Sequence, residues 1–341
     1  MNFSVGYARD KDQERWNAFV LSEPMGVTPY HFYQWRRVIH DAYGLASNYV
    51  FIEDTSGEMK GILPLFFAKV GCRTVGVALP YCSHAGIASN DYDSRMILLD
   101  TAKTICQNMK LRYIELKETS SSPVREGFVT QILKLEDSIP QHWQKVESKC
   151  RRAVKKAEKS GLKVIEGGIE YVEKFYTIYQ KNMEKLGAPT HPIILFKKAI
   201  EEFKGKATLL MVKKNDDIIA GMLIVQCGRV AHDPWTASLH SFHHLFPNDL
   251  LYWKAICYAI NKSCHIFDFG LSGNDTGLHY FKKKWGTIAI PLLYTRVLPS
   301  GQIRIKKNRI NVLRYIFNSI WSKVPNKVSR KIGPSIRKHM L

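Results

Sequence analysis

The sequence predicts a mixed α/β (α+β) chain built as two tandem copies of one unit and followed by a basic C-terminal amphipathic helix. Three observations predict it. Four landmarks recur in the same order at a nearly constant offset. The apolar spacing switches repeatedly between the helical and the strand period. The stretch from Leu298 to Leu341 carries eleven basic residues and no acidic one.

Pro29-Tyr-His31 recurs as Pro189-Thr-His191, and Gly61-Ile-Leu63 as Gly221-Met-Leu223, both at an offset of 160 residues. Trp16-Asn-Ala-Phe19 aligns with Phe175-Tyr-Thr-Ile178, and Tyr113-Ile-Glu-Leu-Lys117 with Ile266-Phe-Asp-Phe-Gly270 at an offset of about 153. A period this long is a duplicated domain and not a solenoid repeat. The expected parts are residues 1–140, 141–297 and the tail 298–341.

Each copy reads alike. Two amphipathic helices come first, Asp12–Leu21 and Phe32–Tyr43 in one copy, Tyr171–Leu186 and Ile193–Phe203 in the other. A β-hairpin follows, Asn48–Glu53 with Lys60–Ala68, and Ala207–Lys213 with Ile218–Cys227. The joining turns are polar, Asp54-Thr-Ser-Gly57 and Lys214-Asn-Asp-Asp217. Next come a helix (Asp93–Met109; Asp249–Asn261), a strand (Arg112–Glu118; His265–Gly270) and a closing strand (Gly127–Leu135; Ile290–Val297). Between the copies Gln141–Lys159 is helical in pattern, with Gly161 as its stop. In the tail Ile310, Leu313, Phe317, Ile320 and Val324 form one apolar stripe, and Pro325 ends that helix.

Of 341 residues 45% are apolar, enough for a packed core. No apolar run reaches the roughly 18–20 residues of a spanning helix, and the N-terminus lacks a signal-type apolar stretch, so a cytoplasmic protein is expected. Seven cysteines without a C-x-x-C pair argue against a zinc site and a disulfide framework, and no metal is expected. Fifty Lys and Arg against thirty Asp and Glu leave a net charge of +20. Such a balance favours phosphate-bearing partners: nucleic acid, nucleotide cofactors, phospholipid headgroups or lipid-linked sugars.

The P-Y-H before a helix, G-I-L-P-L, R-R-A-V-K-K-A-E-K-S-G-L (residues 151–162), L-G-A-P-T-H (186–191), F-D-F-G-L-S (267–272) and F-K-K-K-W-G (281–286) together resemble the FemA/FemB-like group. These are tandem GNAT-fold acyltransferases related to peptidoglycan bridge aminoacyltransferases. More narrowly, the chain looks like the Fem-like proteins of exopolysaccharide and PEP-CTERM gene clusters. The resemblance covers about residues 12–297. It implies two GNAT (acyl-CoA N-acyltransferase)-like domains, no tightly bound cofactor, and acyl-CoA or aminoacyl-tRNA as co-substrate. It also implies a lipid-linked or nucleotide-linked glycan or peptide as acceptor. The long helical hairpin of the bridge enzymes has no room between Leu186 and Phe196, which weakens the tRNA reading.

Acyl transfer needs a held donor phosphate, a polarised carbonyl and a deprotonated nucleophile. Ser241–Asn248 leading into Asp249–Ile260 is the expected phosphate turn, with Asn248 as its N-cap, although the Q/R-x-x-G-x-G/A signature is missing. Arg151, Arg152, Lys155 and Lys156 suit phosphate or acceptor binding, or form a solvated face. Asp268, in an apolar strand that opens into a glycine-rich loop with Ser272, is a candidate acceptor-site carboxylate or base, or one half of an ion pair with Lys282. Lys282 is a candidate for neutralising the oxyanion. His191 is a candidate proton acceptor, whereas its counterpart His31 reads as a helix-start residue. Trp235 and Tyr280 are candidate pocket residues. Arg314, Phe317 and Trp321 are candidate membrane contacts, or the stripe docks on the second domain.

The expectation is therefore an N-acyltransferase acting directly, without a metal, on an amine of an envelope saccharide or peptidoglycan-type precursor, with possible peripheral attachment to the inner membrane face and no DNA partner. The alternative is a non-catalytic GNAT-like protein that binds a lipid-linked glycan or RNA.

Overall fold

The computed structural model describes residues 3–120, 127–274, 276–306 and 312–340, with the backbone alone for 312–316. The chain forms two compact units. One comprises Met1–Gly127, Pro291–Asn308 and His339–Leu341; the other comprises Phe128–Ile290 and Arg309–Lys338.

The first unit runs β1 (Ser4–Tyr7), α1 (Gln13–Leu21), α2 (Gln34–Tyr43), β2 (Ala46–Glu53), β3 (Met59–Val70), β4 (Arg73–Ala78), β5 (Ala88–Ser89), α3 (Tyr92–Asn108) and β6 (Ile114–Thr119). Its sheet order is β1-β2-β3-β4-β6, antiparallel apart from the β4–β6 pair. Strand alternation sends Val50, Ile52, Leu63 and Leu65 into a core with Leu98, Ala102 and Ile105 of α3. Tyr49 and Phe66 alternate to the opposite face, where Tyr49 packs its ring against Trp16 at 4.9 Å. Gly44 ends α2 in the left-handed region, the usual helix stop.

The second unit runs β7 (Phe128–Lys134), α4 (Ile139–Lys145), α5 (Ser148–Lys159), β8 (Leu162–Gly167), α6 (Val172–Lys185), α7 (Ile193–Glu202), β9 (Ala207–Lys214), β10 (Asp217–Cys227), β11 (Val230–Ser238), α8 (Pro247–Asn261), β12 (Ile266–Gly273) and α9 (Gly277–Lys283). Its order is β8-β9-β10-β11-β12-β7, and only β11–β12 is parallel. Leu210, Val212, Met222 and Ile224 bury one sheet face under α5 and α8. Phe175 of α6 covers the other, and a β-carbon at Gly221 would stand 2.8 Å from its ring.

Four elements follow, divided between the two units: β13 (Ile288–Val297) and β14 (Ile303–Ile305), then α10 (Val312–Trp321) and α11 (Asn326–Arg337). The closing strands differ from the expected parts. β7 pairs with β12 in the second unit, and Leu292–Val297 of β13 pairs with β6 in the first. An apolar pattern fixes which face of a strand is buried, not which neighbour it takes. β4, β11 and α11 fall where the sequence reading has no element. Asp233-Pro234 breaks the apolar alternation of β11, and Pro325 masks the restart of a helix that carries Pro334 inside it.

Candidate active site

The parallel ladder between β11 and β12 is short. It pairs Val230 with Ile266, Ala231 with Phe267 and His232 with Asp268, and goes no further, although β11 runs on to Ser238 and β12 to Gly273. Beyond that point each strand keeps only its outer neighbour, β10 or β7. Both strands also bulge there. Leu223 faces Trp235 while Val225 faces His232, which places an extra residue at Asp233-Pro234; Pro234 has no N–H to give the ladder. Asp268 faces Ile132 while Leu271 faces Thr130, which places the second bulge at Phe269-Gly270, with Gly270 at φ +69°. The result is a wedge across which β11 and β12 no longer pair with each other.

A buried charge cluster holds the head of the wedge. Asp268, 1% exposed, accepts from Thr130 Oγ1 and from the Gly270 N–H, both at 2.8 Å. Lys282, 3% exposed, donates to the carbonyls of Phe269, Gly270 (3.1 Å) and Leu271 (2.9 Å). An ammonium has three N–H bonds, and all three are used on the bulge. Asp233 accepts from Tyr252 Oη and Thr236 Oγ1, both at 2.7 Å. Burial pushes the Asp233 carboxyl up to about 6 against the pull of Lys282, and burial brings Lys282 down to about 8 against Asp233 and Asp268. The expected ion pair of Asp268 with Lys282 does not form: each braces the Phe269–Leu271 bulge through its own hydrogen bonds, and Asp268 acts on Lys282 only as a nearby charge. In this arrangement Lys282 has no donor left for an oxyanion, which corrects the expectation placed on it. Asp233 and Tyr252 were not among the expected residues; an acid beside a proline inside an apolar run was the available signal.

The other sequence candidates separate into groups. α8 starts at Pro247 after Phe246, which takes a left-handed conformation (φ 60°, ψ 42°). Asn248 is thus the second helical residue and not the N-cap. Asp249 in that first turn is paired with Lys284. Lys156 stands 4.8 Å over the Phe246 ring, which brings the basic helix α5 to the start of α8. Arg152 and Lys155 are exposed on α5, while Cys150, Val154 and Ala157 form its buried face. Arg151 instead donates to the carbonyls of Trp143 (3.4 Å) and Gln144 (3.2 Å), where it tethers the end of α4. Ser272 is buried and accepts from Gln131 Nε2 at 2.9 Å.

His191 is buried, its ring packed on Tyr179 and edge-on to Trp235 at 5.9 Å; burial first and Arg337 second push its pKa well down. It is a neutral core imidazole in this conformation. Trp235 is half-buried against Phe196, and Tyr280 lies exposed on α9. Trp321 is buried and the half-buried Phe317 stacks on it at 5.8 Å, so the Trp321 ring turns inward and is no surface anchor, whereas Ile320 of the same stripe stays exposed. The side chain of Arg314 lies outside the described residues. A separate cavity of about 210 Å³, lined by Leu133, Glu136, His142 and Trp285 among others, shares no lining residue with the wedge.

Residues 144–283, which contain the wedge and both helices beside it, match the family model for an acetyltransferase (GNAT) domain. This segment is a GNAT acyltransferase domain. Comparisons with solved structures extend the likeness of fold over 84–96% of the chain. FemX is similar at 18% identity and a TM-score of 0.68, over 84% of this chain and 95% of that one. L-PGS from Bacillus licheniformis is similar at 14% identity and a TM-score of 0.55, over 96% and 98%. A tandem GNAT protein from the clavulanic acid biosynthesis pathway is similar at 9% identity and a TM-score of 0.52, over 86% and 98%. No curated protein matches the sequence. The resemblance to Fem-like tandem GNAT proteins thus holds as fold, with the GNAT domain itself matched in sequence.

Proposed function

We propose that this GNAT acyltransferase moves an acyl group from a CoA thioester to an amine on a cell-envelope saccharide or peptide precursor that is lipid-linked or nucleotide-linked. The observation that carries the reading is the open edge between β11 and β12 beyond His232 and Asp268, inside the segment matched as an acetyltransferase domain. Backbone N–H groups of β11 and β12 that face no partner strand suit an acyl carbonyl as negative charge grows on its oxygen, apart from Gly270, whose N–H is held by Asp268, and Pro234, which has none. The amine lone pair attacks the carbonyl carbon, a C–N bond forms, the C–S bond breaks, and the thiolate leaves while the amine proton passes to base. Asp268 and Lys282 serve as positioning residues that fix the bulges. The phosphate end falls to the start of α8, where the first helical N–H groups lack partners within the helix, with Lys156 beside it and Arg152 and Lys155 on the same basic helix.

The test is donor binding to the full chain, with acetyl-CoA, longer acyl-CoAs and charged tRNA compared at two salt concentrations by thermal shift and competition. Saturable stabilisation by a CoA thioester, followed by transfer to an amino sugar or peptide amine, is the expected result. Binding of charged tRNA alone, with uncharged tRNA rejected, would replace the donor by an aminoacyl ester. Binding of neither would overturn the proposal in favour of a non-catalytic glycan- or RNA-binding role.

A further inference from the structure

The tail forms two helices, and their inner side is firmly engaged. A β-carbon at Gly187 would stand 2.8 Å from the Asn318 carbonyl oxygen, and one at Gly333 3.1 Å from Thr190 Oγ1. Trp321, Ser329 and Gly333 are buried. Arg330 makes a two-pronged ion pair with Glu184, at 2.6 and 3.3 Å. These contacts hold α10 and α11 against the end of α6 and the segment before α7, all within the second unit.

The outer side is different. Val328 and Ile332, one helical turn apart on α11, are 45% and 39% exposed, and Ile320 on α10 is 63% exposed. Leu186, at the end of α6 next to the Gly187–Asn318 contact, is 60% exposed. Lys323, Lys327 and Lys331 are exposed among them. No acidic residue occurs from Leu298 to Leu341 to offset that charge. Aliphatic side chains set among lysines on a helix that is pinned from behind form an amphipathic outer surface.

We infer that this outer face, formed by Ile320, Lys323, Lys327, Val328, Lys331 and Ile332, docks on an anionic lipid surface. Aliphatic side chains enter the headgroup boundary, and lysine stems lie along it with their ammonium groups among lipid phosphates. The chemistry distinguishes lipid from nucleic acid. Single-stranded nucleic acid is gripped by stacking on exposed aromatic rings, whereas here Trp321 turns inward and the outward residues are aliphatic. The face shares only Ile320 with the stripe expected from sequence, and it stands independently of the acyl-transfer reading because binding needs neither donor nor acceptor.

The experiment is co-sedimentation of the full chain with vesicles of phosphatidylcholine alone and of phosphatidylcholine mixed with phosphatidylglycerol, at low and high salt. Binding to the mixed vesicles that falls with salt is expected. Lys327→Glu with Lys331→Glu weakens it roughly tenfold or more, and Val328→Ser with Ile332→Ser weakens it as well. All four positions are exposed, and unchanged melting temperatures verify that the variants fold. Failure of the folded protein to bind mixed vesicles overturns the inference, as does binding indifferent to both variant pairs. Displacement by a single-stranded RNA homopolymer, with the serine pair without effect, overturns it in favour of a polyanion site.

Discussion

A β-carbon placed on Gly270 would stand 3.1 Å from the main-chain oxygen of Asp233. The two residues belong to facing bulges, one on each splayed strand, and Gly270 adopts φ +69°, a region that side chains enter at a cost. Gly270→Ala therefore meets both strain and a crowded carbonyl. Loss of about 1–3 kcal/mol of stability is expected, together with weaker donor binding as the wedge is pushed apart. Denaturant midpoints and donor titration of the same variant check it; a variant of full stability with unchanged donor affinity would contradict this account of the wedge.

Lys282 is the cation that holds the Asp233 carboxyl down against burial, and it also satisfies the carbonyls of the Phe269–Leu271 bulge. Lys282→Met removes that cation and leaves buried acceptors unpaired, at a cost of roughly 3–5 kcal/mol. Adding Asp233→Asn to Lys282→Met should restore part of it, because a neutral amide no longer needs the cation. Asp233 has its own pH signature. Its folded-state pKa is raised from 3.8 to about 6, so its contribution is fully present below pH 3.8 and is lost as pH rises through about 6. Asp233→Asn should remove that downward slope from the stability profile between those values. Identical profiles would mean that Asp233 is already ionised across the range.

Much of this was legible in the sequence because it rests on local pattern. The repeated helix pairs, the hairpins and Asp268 at the end of an apolar strand are all read from spacing within a few residues. What escaped depends on distant partners. Nothing local says that β7 pairs with β12 and not with its own half, or that Trp321 faces Gly333 and not solvent. The same limit explains Arg151 and Lys156. They sit on one basic helix and look equivalent in sequence, yet one reaches back to α4 and the other toward Phe246, which precedes α8.

That difference gives a paired test of the phosphate end. Lys156→Ala should raise the donor KM several-fold with little change in kcat, since a remote phosphate contact binds ground and transition states alike. It should also lower the sensitivity of donor affinity to salt. Arg151→Ala should leave KM near the parent value and instead lower stability by about 1 kcal/mol, the usual worth of a hydrogen-bonded tether. Equal effects of the two changes on KM would assign phosphate binding to the diffuse charge of α5 and not to the start of α8.

His31 makes the first unit sensitive to acid. It is fully buried, its Nδ1 accepting from the Thr28 N–H at 3.0 Å and its Nε2 lying 3.1 Å from the Gly86 carbonyl oxygen. That pattern fixes a neutral ring with the proton on Nε2, since Nδ1 must keep its lone pair and a carbonyl can only accept. Burial outweighs the contact with Gly86 and lowers the pKa from 6.5 to about 4. In the unfolded chain the ring takes its proton near 6.5, so between that value and about 4 the unfolded state binds more protons and stability rises with pH. The contribution is complete above pH 6.5, amounts to about 3 kcal/mol, and disappears as pH falls through about 4. His31→Gln cannot titrate and should flatten the stability profile from pH 6.5 to 4, even if its stability at pH 7 is lower. Hydrogen exchange of the amides of β2, β3 and α3, followed across that range, places the effect in the first unit. An unchanged slope in the variant would show that the acid sensitivity arises elsewhere.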